Sequence, residues 1–329
     1  MPEEIEFRTK PQLAVDLIDR ALANGVRVGA WTCDELYGRD GKFLDALEAR
    51  GQVFAAEIPV DFHGWVQKPK TLKKGPKHKG RGRSKQYPRL AAKERSSEVR
   101  NLARYSPVFR EQSWQRYRIK DTDKGPEVWE SKWAVFWRKD EAGLPTRRHC
   151  LIVAHNVLTD ETKYFLSNRV PGELNPVTGK AITLRWLLHV AFGRCSIESC
   201  FREGKEELGL DHYEVRGWRC VHRHFYVTQL SHLFCARMRQ QYDAPSEEKI
   251  DRITVEQVRS AANVWLDAAD LPPAARRQRF EEEIQKQQYY QRRNKQARKS
   301  HTKTRLARYK ALGINVAQIK SCLPDTTEP

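Results

Sequence analysis

The segment VRVGAWTCDELYGRDGKFLDALEARGQVFAAEIPV, residues 26–60, carries the pattern that decides the fold. Its first part, Val26–Trp31, is rich in apolar residues and predicts a buried strand. A helix is predicted over Asp40–Arg50, with apolar side chains on one face and Gly51 as its stop signal. Val53–Val60 then predicts a second strand. The order strand, helix, strand indicates an open α/β sheet.

Asp34 lies in the turn Thr32–Gly38, directly after the first predicted strand. Ends of strands are where open α/β sheets present side chains to ligands, so Asp34 is a candidate metal-binding carboxylate. An aspartate in this position can equally cap the turn or the next helix. The pattern alone leaves both roles open.

A second candidate site lies in RCSIESCFREGK, residues 194–205. On one continuous helix Arg194, Glu198 and Lys205 would share a face, with the carboxylate between two cations. Such a set suits phosphodiester chemistry, although an exposed helix with an ordinary i,i+4 ion pair explains the spacing too and is favoured on spacing alone. A neighbouring apolar or small stripe predicts that the helix packs on a core: Ile197, Phe201, Gly204 and Leu208.

Both regions resemble bacterial insertion-sequence transposases of the DDE type. Arg194, Glu198 and Lys205 match the last three letters of the YREK signature of that family, and Ala191 stands in the place of its tyrosine. The segment Phe201–Trp218 closely resembles the IS-seven-zero-one-type branch of the IS-four-like superfamily. The turn around Asp34 is similar to the one that carries the family's second catalytic aspartate.

The resemblance implies DNA strand cleavage and transfer at insertion-sequence ends by two-metal chemistry. Asp34 and Glu198 are then expected as catalytic residues and as ligands of Mg²⁺ or Mn²⁺. Four cations are expected to bind DNA phosphates: Arg194, Lys205, Arg202 and Arg216. Expected partners are transposon ends and target DNA, with a homodimer assembled on that DNA.

The family's first catalytic aspartate belongs on an earlier strand, and no strand is predicted before Val26. The preceding residues predict a loop and one amphipathic helix, started by Thr9 and Pro11, with this apolar face: Leu13, Leu17, Ile18, Ala21 and Leu22. We therefore expect an N-terminally truncated enzyme with an incomplete ribonuclease H-like core, and its activity is left open. The alternative is a non-catalytic DNA-binding regulator derived from a transposase.

Composition agrees with a nucleic-acid partner. The 329 residues include 60 Lys and Arg against 42 Asp and Glu, a net charge of +18, and this excess attracts polyanions. A hydrophobic content of 39% is enough for a sizeable core. No apolar run long enough to span a bilayer and no signal peptide are recognised, so we expect a cytoplasmic, nucleoid-associated bacterial protein without a membrane partner.

A long region separates the two candidate sites. Lys68–Arg100 alternates cations with Gly, Pro and Ser, which predicts either a disordered segment that follows DNA phosphate or a solvated linker. Strands predicted at Val128–Arg138, Cys150–Val157 and Lys163–Leu166 suggest a small antiparallel sheet. In the family such an insertion assists with a flipped base or hairpin. Three residues are therefore base-stacking candidates, although a core position is favoured for each: Trp129, Trp133 and Trp137.

Seven scattered cysteines fit a reducing compartment better than a disulfide framework. One predicted helix, Trp218–Tyr242, carries a group of possible zinc ligands: Cys220, His222, His224, His232 and Cys235. Their spacing is not that of a zinc finger, so core cysteines and DNA-facing histidines are favoured over zinc.

The predicted organisation is an α/β protein in four regions. Residues 1–60 form the first part of an incomplete ribonuclease H-like core, and residues 61–182 form a basic linker with a β-rich insertion. Residues 183–245 form the second part of the core with the glutamate helix, and residues 246–329 form a basic helical tail. The tail suits phosphate tracking, although a solvated charged helix is equally compatible with it.

Overall fold

A computed structural model describes residues 7–72, 87–91, 94–242 and 253–322. The chain forms two compact units, residues 1–194 with 302–329 and residues 195–301. Every described strand lies in the first unit, whereas the described part of the second unit is helical.

Eleven strands are described in the first unit: β1 Trp31–Cys33, β2 Phe54–Ile58, β3 His63–Trp65, β4 Thr71–Leu72, β5 Arg89–Leu90, β6 Ser97–Glu98, β7 Gln115–Thr122, β8 Gly125–Lys139, β9 Pro145–Asn156, β10 Thr162–Ser167 and β11 Lys320–Ser321. Its helices are α1 Lys10–Ala23, α2 Glu35–Gly38, α3 Gly41–Ala49, α4 Val99–Tyr105, α5 Pro107–Arg110 and α6 Leu184–Phe192. The second unit contains α7 Cys195–Leu208, α8 Trp218–Tyr242, α9 Val255–Asp267 and most of α10 Pro273–Ala311.

Nine of the strands form one mixed sheet in the order β1-β2-β10-β9-β8-β3-β6, with β7 on β8 and β11 on β7. β1 and β2 are parallel, and Trp31 is opposite Phe54. β2 then pairs antiparallel with β10, which continues through β9 to β8. The α/β class is therefore confirmed.

The predicted strands of residues 128–166 are present, but they do not form a separate small sheet. β10 pairs along the second edge of β2, with Tyr164 opposite Ile58 and Ser167 opposite Ala55. Because β2 has a strand on each edge and apolar residues on both faces, it sits inside the sheet and joins β8–β10 to β1.

The first strand begins later than its sequence pattern predicted. The chain leaves α1 through Gly25, whose φ of 77° lies in the left-handed region, and Val26 remains 50% exposed. Pairing with β2 starts only at Trp31, whose amide nitrogen donates to the carbonyl of Val53 over 2.8 Å. Val26 and Val28 lie outside the described strands, and the amide nitrogen of Val26 donates back to the carbonyl of Ala21 in α1 over 3.1 Å.

Both faces of the sheet around β2 are covered. Phe54, Ala56 and Ile58 pack on the side of α3, together with the predicted apolar face of that helix, Phe43, Leu44 and Leu47. Val53 and Ala55 pack on the opposite side with residues of α6. The predicted helix, its stop at Gly51 and the following strand are confirmed.

Helix α1 starts as predicted, because Thr9 and Gln12 form a capping box. Its predicted apolar face is only half correct. Ile18 is buried, whereas Leu13 and Leu17 are 48% and 60% exposed. Only a narrow strip of this helix packs against the core.

The second unit contains few buried apolar side chains among its described residues. The predicted stripe on α7 is buried at Gly204, but Ile197 and Phe201 each remain 50% exposed. Most large apolar side chains of α8 are exposed as well, including Phe225, Leu230 and Phe234. The core that the sequence predicted beneath α7 is therefore only partly formed within its own unit.

Among the described helices, none combines the length and the apolar composition that crossing a lipid bilayer requires.

The approach of α2 to β2 can be tested at Gly38, the last residue of α2. A Cβ added to Gly38 would overlap the carbonyl oxygen of Glu57 on β2. We expect Gly38→Ala to lower the free energy of unfolding by about 1–3 kcal/mol, because backbone rather than a flexible side chain must move. Urea unfolding followed by circular dichroism measures this change.

Gly29→Ala is the matched control, since its new Cβ would lie 3.6 Å from Thr178 Cγ2, an ordinary contact. We expect this substitution to leave the free energy of unfolding unchanged or to raise it by about 0.4–1 kcal/mol, because alanine lowers the conformational entropy of the unfolded chain. Equal stability of the two variants would contradict the close packing of α2 on β2.

Candidate active site

Asp34 lies at the carboxyl end of β1, the first edge strand of the sheet. Its backbone is extended, and its Oδ1 accepts a hydrogen bond from the amide nitrogen of Leu36 over 3.0 Å. Asp34 is thus the N-cap of α2 as well as the residue that ends the strand. The two roles left open by the sequence are compatible, because the cap engages Oδ1.

The end of α6 lies against the same strand. Thr32 Oγ1 donates to the carbonyl oxygen of Ala191 over 3.4 Å. Asp34 follows Thr32 at a spacing of two in extended backbone, so it faces the α6 side of the sheet too. Ala191, which stands in the place of the signature tyrosine, is buried in the core.

The thiol of Cys33 reports the charges around this strand end. The pKa of Cys33 is raised to about 12, mainly by burial and further by the negative charge of Asp34, while the positive charge of Arg194 acts in the opposite direction. Asp34 and Arg194 therefore both lie within electrostatic reach of the same sulfur atom. The charges of these two predicted site residues thus act in the same region, around the end of β1.

Arg194 does not share a helix with Glu198, contrary to the sequence prediction. Helix α6 ends at Phe192, Gly193 is its C-cap, and α7 begins only at Cys195. Arg194 occupies the turn between two helices, so the 100° spacing that placed three side chains on one face does not extend back to it. It belongs to the first unit, whereas Glu198 belongs to the second.

Within the second unit, α7 presents a charged face. Glu198, Arg202 and Lys205 follow one another at spacings of four and three, which places them on one side of the helix, and all are exposed. Arg216 is exposed in the segment between α7 and α8. The predicted grouping of the carboxylate with Lys205 therefore agrees with the helix.

The turn after α7 is fixed by its glycine. Gly209 has a φ of 67°, and the amide nitrogen of Leu210 donates back to the carbonyl of Gly204 over 2.9 Å. A left-handed glycine directly after the last helical residue is a common helix stop, and the bond from Leu210 satisfies a carbonyl near the end of α7. His224 Nε2 on α8 lies 2.9 Å from the carbonyl oxygen of Gly209, to which it donates. This contact ties the segment that carries Arg216 to α8.

Sequence reasoning missed a second carboxylate beside Asp34. Glu57 on β2 follows Ala56, the register partner of Cys33, and it alternates with Ala55 onto the α6 side of the sheet. Its Oε1 accepts from Lys163 Nζ on β10 over 2.8 Å, and its charge also raises the pKa of Cys33. A polar residue within an otherwise buried strand is the signal that could have identified it.

The three tryptophans of β8 do not share one environment. Trp129 is 2% exposed, its ring centroid lies 4.8 Å from that of Phe192, and its Nε1 donates to Glu127 over 2.7 Å. It is a core residue without an open ring face for a base. Trp133 and Trp137 are half-buried, so base stacking by them stays a prediction.

The possible zinc ligands of α8 point to different surroundings. Cys235 is buried, Cys220 is exposed, and His232 lies near Cys200 and Glu203, at 3.8 Å and 3.6 Å. In the parts of the chain that the structure describes, no three His, Cys, Asp or Glu side chains are arranged to hold a metal ion. Asp34 and Glu198 nevertheless offer the hard oxygen donors that Mg²⁺ and Mn²⁺ prefer.

About half of the predicted basic segment, residues 73–86 and 92–93, lies outside the described residues. On either side of the first gap, β4 and β5 form a short antiparallel ladder, with Thr71 opposite Leu90. The expectation that this segment follows DNA phosphate stays a prediction.

The environment of Cys33 predicts a low reactivity of its thiol. With a pKa of about 12, roughly one part in 10,000 of the thiol is ionised at pH 8, and the thiolate population grows only as the pH approaches that value. We expect iodoacetamide at pH 8 to modify the exposed Cys220 well before Cys33. Peptide mass spectrometry over time measures both rates, and comparable rates in the folded protein would contradict the raised pKa of Cys33.

Residues 1–126 match the model of a family described as DDE superfamily endonuclease. The matched segment is less than half of the chain; it contains Asp34 and ends before Glu198. The chain has no significant match among curated proteins. The family match supports a transposase or nuclease type of function, with DNA as the substrate and divalent metals as the usual cofactors of such enzymes.

Proposed function

We propose that this protein acts in DNA strand cleavage and transfer at insertion-sequence ends, as DDE transposases do. The observation that carries the proposal is the position of Asp34 at the carboxyl end of a parallel strand, inside the segment matched by the endonuclease family. The charged face of α7, with Glu198 and Lys205, supplies the residue types that such a site requires.

In this proposal Asp34 and Glu198 would hold the divalent ion, which supplies an activated water and neutralises charge at phosphorus. Arg194, whose charge acts on the same thiol as that of Asp34, would hold a phosphate through its planar guanidinium, and Lys205 would act as a point charge. Arg202 and Arg216 would contact the DNA further from the reacting phosphate. Thr32, bonded to α6, would fix the distance between the strand end and Arg194.

A non-catalytic DNA-binding regulator is the second candidate. The observation that favours it is that the described residues contain no group of three potential metal ligands, whereas the DDE reaction uses three carboxylates. Glu57 does not complete the set by itself, because its carboxylate is paired with Lys163.

The two candidates differ in nicking of a supercoiled plasmid that carries the DNA flanking the coding sequence. For a nuclease we expect Mg²⁺- or Mn²⁺-dependent nicking, reduced by about 100-fold or more in Asp34→Asn and in Glu198→Gln, since each removes a ligand charge. Lys205→Gln should reduce it by about tenfold, and Lys205→Arg should restore most of the loss, because the charge is kept.

Matched controls come from exposed carboxylates elsewhere in the described chain. Glu206→Gln on α7 and Asp61→Asn in the first unit change charge equally and should leave nicking unchanged. Salt-sensitive DNA binding without nicking by the wild-type protein would favour the regulator. Nicking that survives both Asp34→Asn and Glu198→Gln would remove these residues from the site.

A further inference from the structure

The residues in the central part of α10 are exposed. Every residue from Gln288 to His301 is exposed, and we call this stretch the basic arm. It carries five cations and no carboxylate: Arg292, Arg293, Lys295, Arg298 and Lys299. The sequence contains no Asp or Glu between residues 284 and 324, so the charge of the arm is not balanced along its own helix.

The arm is flanked by anchored segments, so its exposure is not that of a fraying end. On the N-terminal side, Glu283 accepts hydrogen bonds from Ser260 of α9 and from Gln287, within the second unit. On the C-terminal side, Arg305 donates to the carbonyl of Gly125 over 3.1 Å, within the first unit. There Tyr309 is 1% exposed, with its hydroxyl 2.9 Å from the amide nitrogen of Val128.

The composition of the arm does not favour an isolated helix. A helix without an apolar face has no core to stabilise it. Its like charges also repel at helical spacing, as between Arg292 and Lys295 and between Lys295 and Lys299. An adjacent row of anions would convert that repulsion into attraction, which gives the arm a reason to be helical when it is bound.

We propose that the basic arm binds the sugar–phosphate backbone of duplex DNA. The proposal deepens the proposed function and rests on it for the choice of DNA as the polyanion. A helix about 10–12 Å across fits a major groove about 12 Å wide, and the arm, roughly 21 Å long, runs past about six base pairs. Stacking on a single strand is disfavoured at Tyr289, because Arg293 lies over its ring and donates to its hydroxyl over 3.1 Å.

The test is metal-free binding of a fluorescent duplex of about 30 base pairs across a range of KCl concentrations. The variant combines Arg292→Gln, Arg293→Gln, Lys295→Gln and Lys299→Gln, because glutamine keeps helix propensity while removing charge. Each lost phosphate contact lowers the slope of log K against log salt by about 0.9, so we expect a slope shallower by about 3 to 4 and affinity at least tenfold weaker in about 100 mM salt.

A control variant removes the same charge from exposed positions of the first unit: Arg20, Arg27, Arg104 and Arg110, each changed to Gln. We expect its slope to change by less than about 1. Arg292→Lys with Arg293→Lys keeps the charge and should keep the wild-type slope. If the fourfold arm variant loses its helical circular dichroism signal, the double variant Lys295→Gln with Lys299→Gln replaces it in the test. We expect the slope of log K against log salt to be shallower by about 2 in this double variant.

If the slope of log K against log salt changes equally in the arm and control variants, the proposal is overturned. DNA would then be attracted by the net charge of the protein and not by the basic arm. A wild-type slope in the arm variants would overturn it outright, and tighter wild-type binding of single-stranded RNA than of the duplex would reassign the arm to RNA. Because no metal is present, a failure of nicking leaves this measurement unchanged. Conversely, an arm without effect on binding leaves the roles of Asp34 and Glu198 standing.

Discussion

The parallel pairing of β1 with β2 is the constraint on which the rest of the first unit depends. A parallel pair needs a crossover, and α2 and α3 supply it within the residues between Cys33 and Phe54. Gly38 allows α2 to lie directly on β2, which fixes the turn that begins at Asp34. The same pairing leaves the second edge of β2 to β10, through which the long hairpin of β8 and β9 joins the sheet.

Charge is distributed unevenly over this framework. At the end of β1 the charges of Asp34 and Arg194 both act on the partly buried thiol of Cys33, and the carboxylate of the neighbouring Glu57 is balanced by Lys163. In α10 the acids Glu281–Glu283 precede a stretch with cations only. The first arrangement suits a site that binds a cation and a phosphate, and the second suits a surface that follows a polyanion.

Features that depend on the sequence of a single helix or strand were predictable. The apolar face of α3, its stop at Gly51, the strands β8–β10 and the bounds of α8 follow from periodicity and turn residues. Features that depend on pairing or packing with another element of the chain were not predictable. Val26 and Val28 have the composition of a strand, yet pairing begins at Trp31, and β7 was missed because only Tyr117 and Ile119 of its polar sequence are buried. Leu13 and Leu17 were predicted to be buried because periodicity does not tell how much of a helix face its core covers.

In the candidate site, too, local features were predictable and features that depend on contacts between elements were not. The position of Asp34 at a strand end and the shared face of Glu198 and Lys205 could be predicted, since both depend on local structure. Arg194 was misplaced because a glycine ends α6 one residue before it, and a single glycine within a helical pattern does not by itself predict a break. Glu57 was missed because its nearness to Asp34 comes from strand register.

The proposed function requires that Asp34 and Glu198 bind the same divalent ion, and iron-directed backbone cleavage tests this requirement most directly. Fe²⁺ placed in a Mg²⁺ site produces hydroxyl radicals with ascorbate and peroxide, and these cut the chain beside the ligands. We expect two cuts, near residues 34 and 198, that excess Mg²⁺ suppresses together and that Asp34→Asn abolishes together. A cut at only one of these positions, or cuts that respond independently to the substitution, would contradict a shared site.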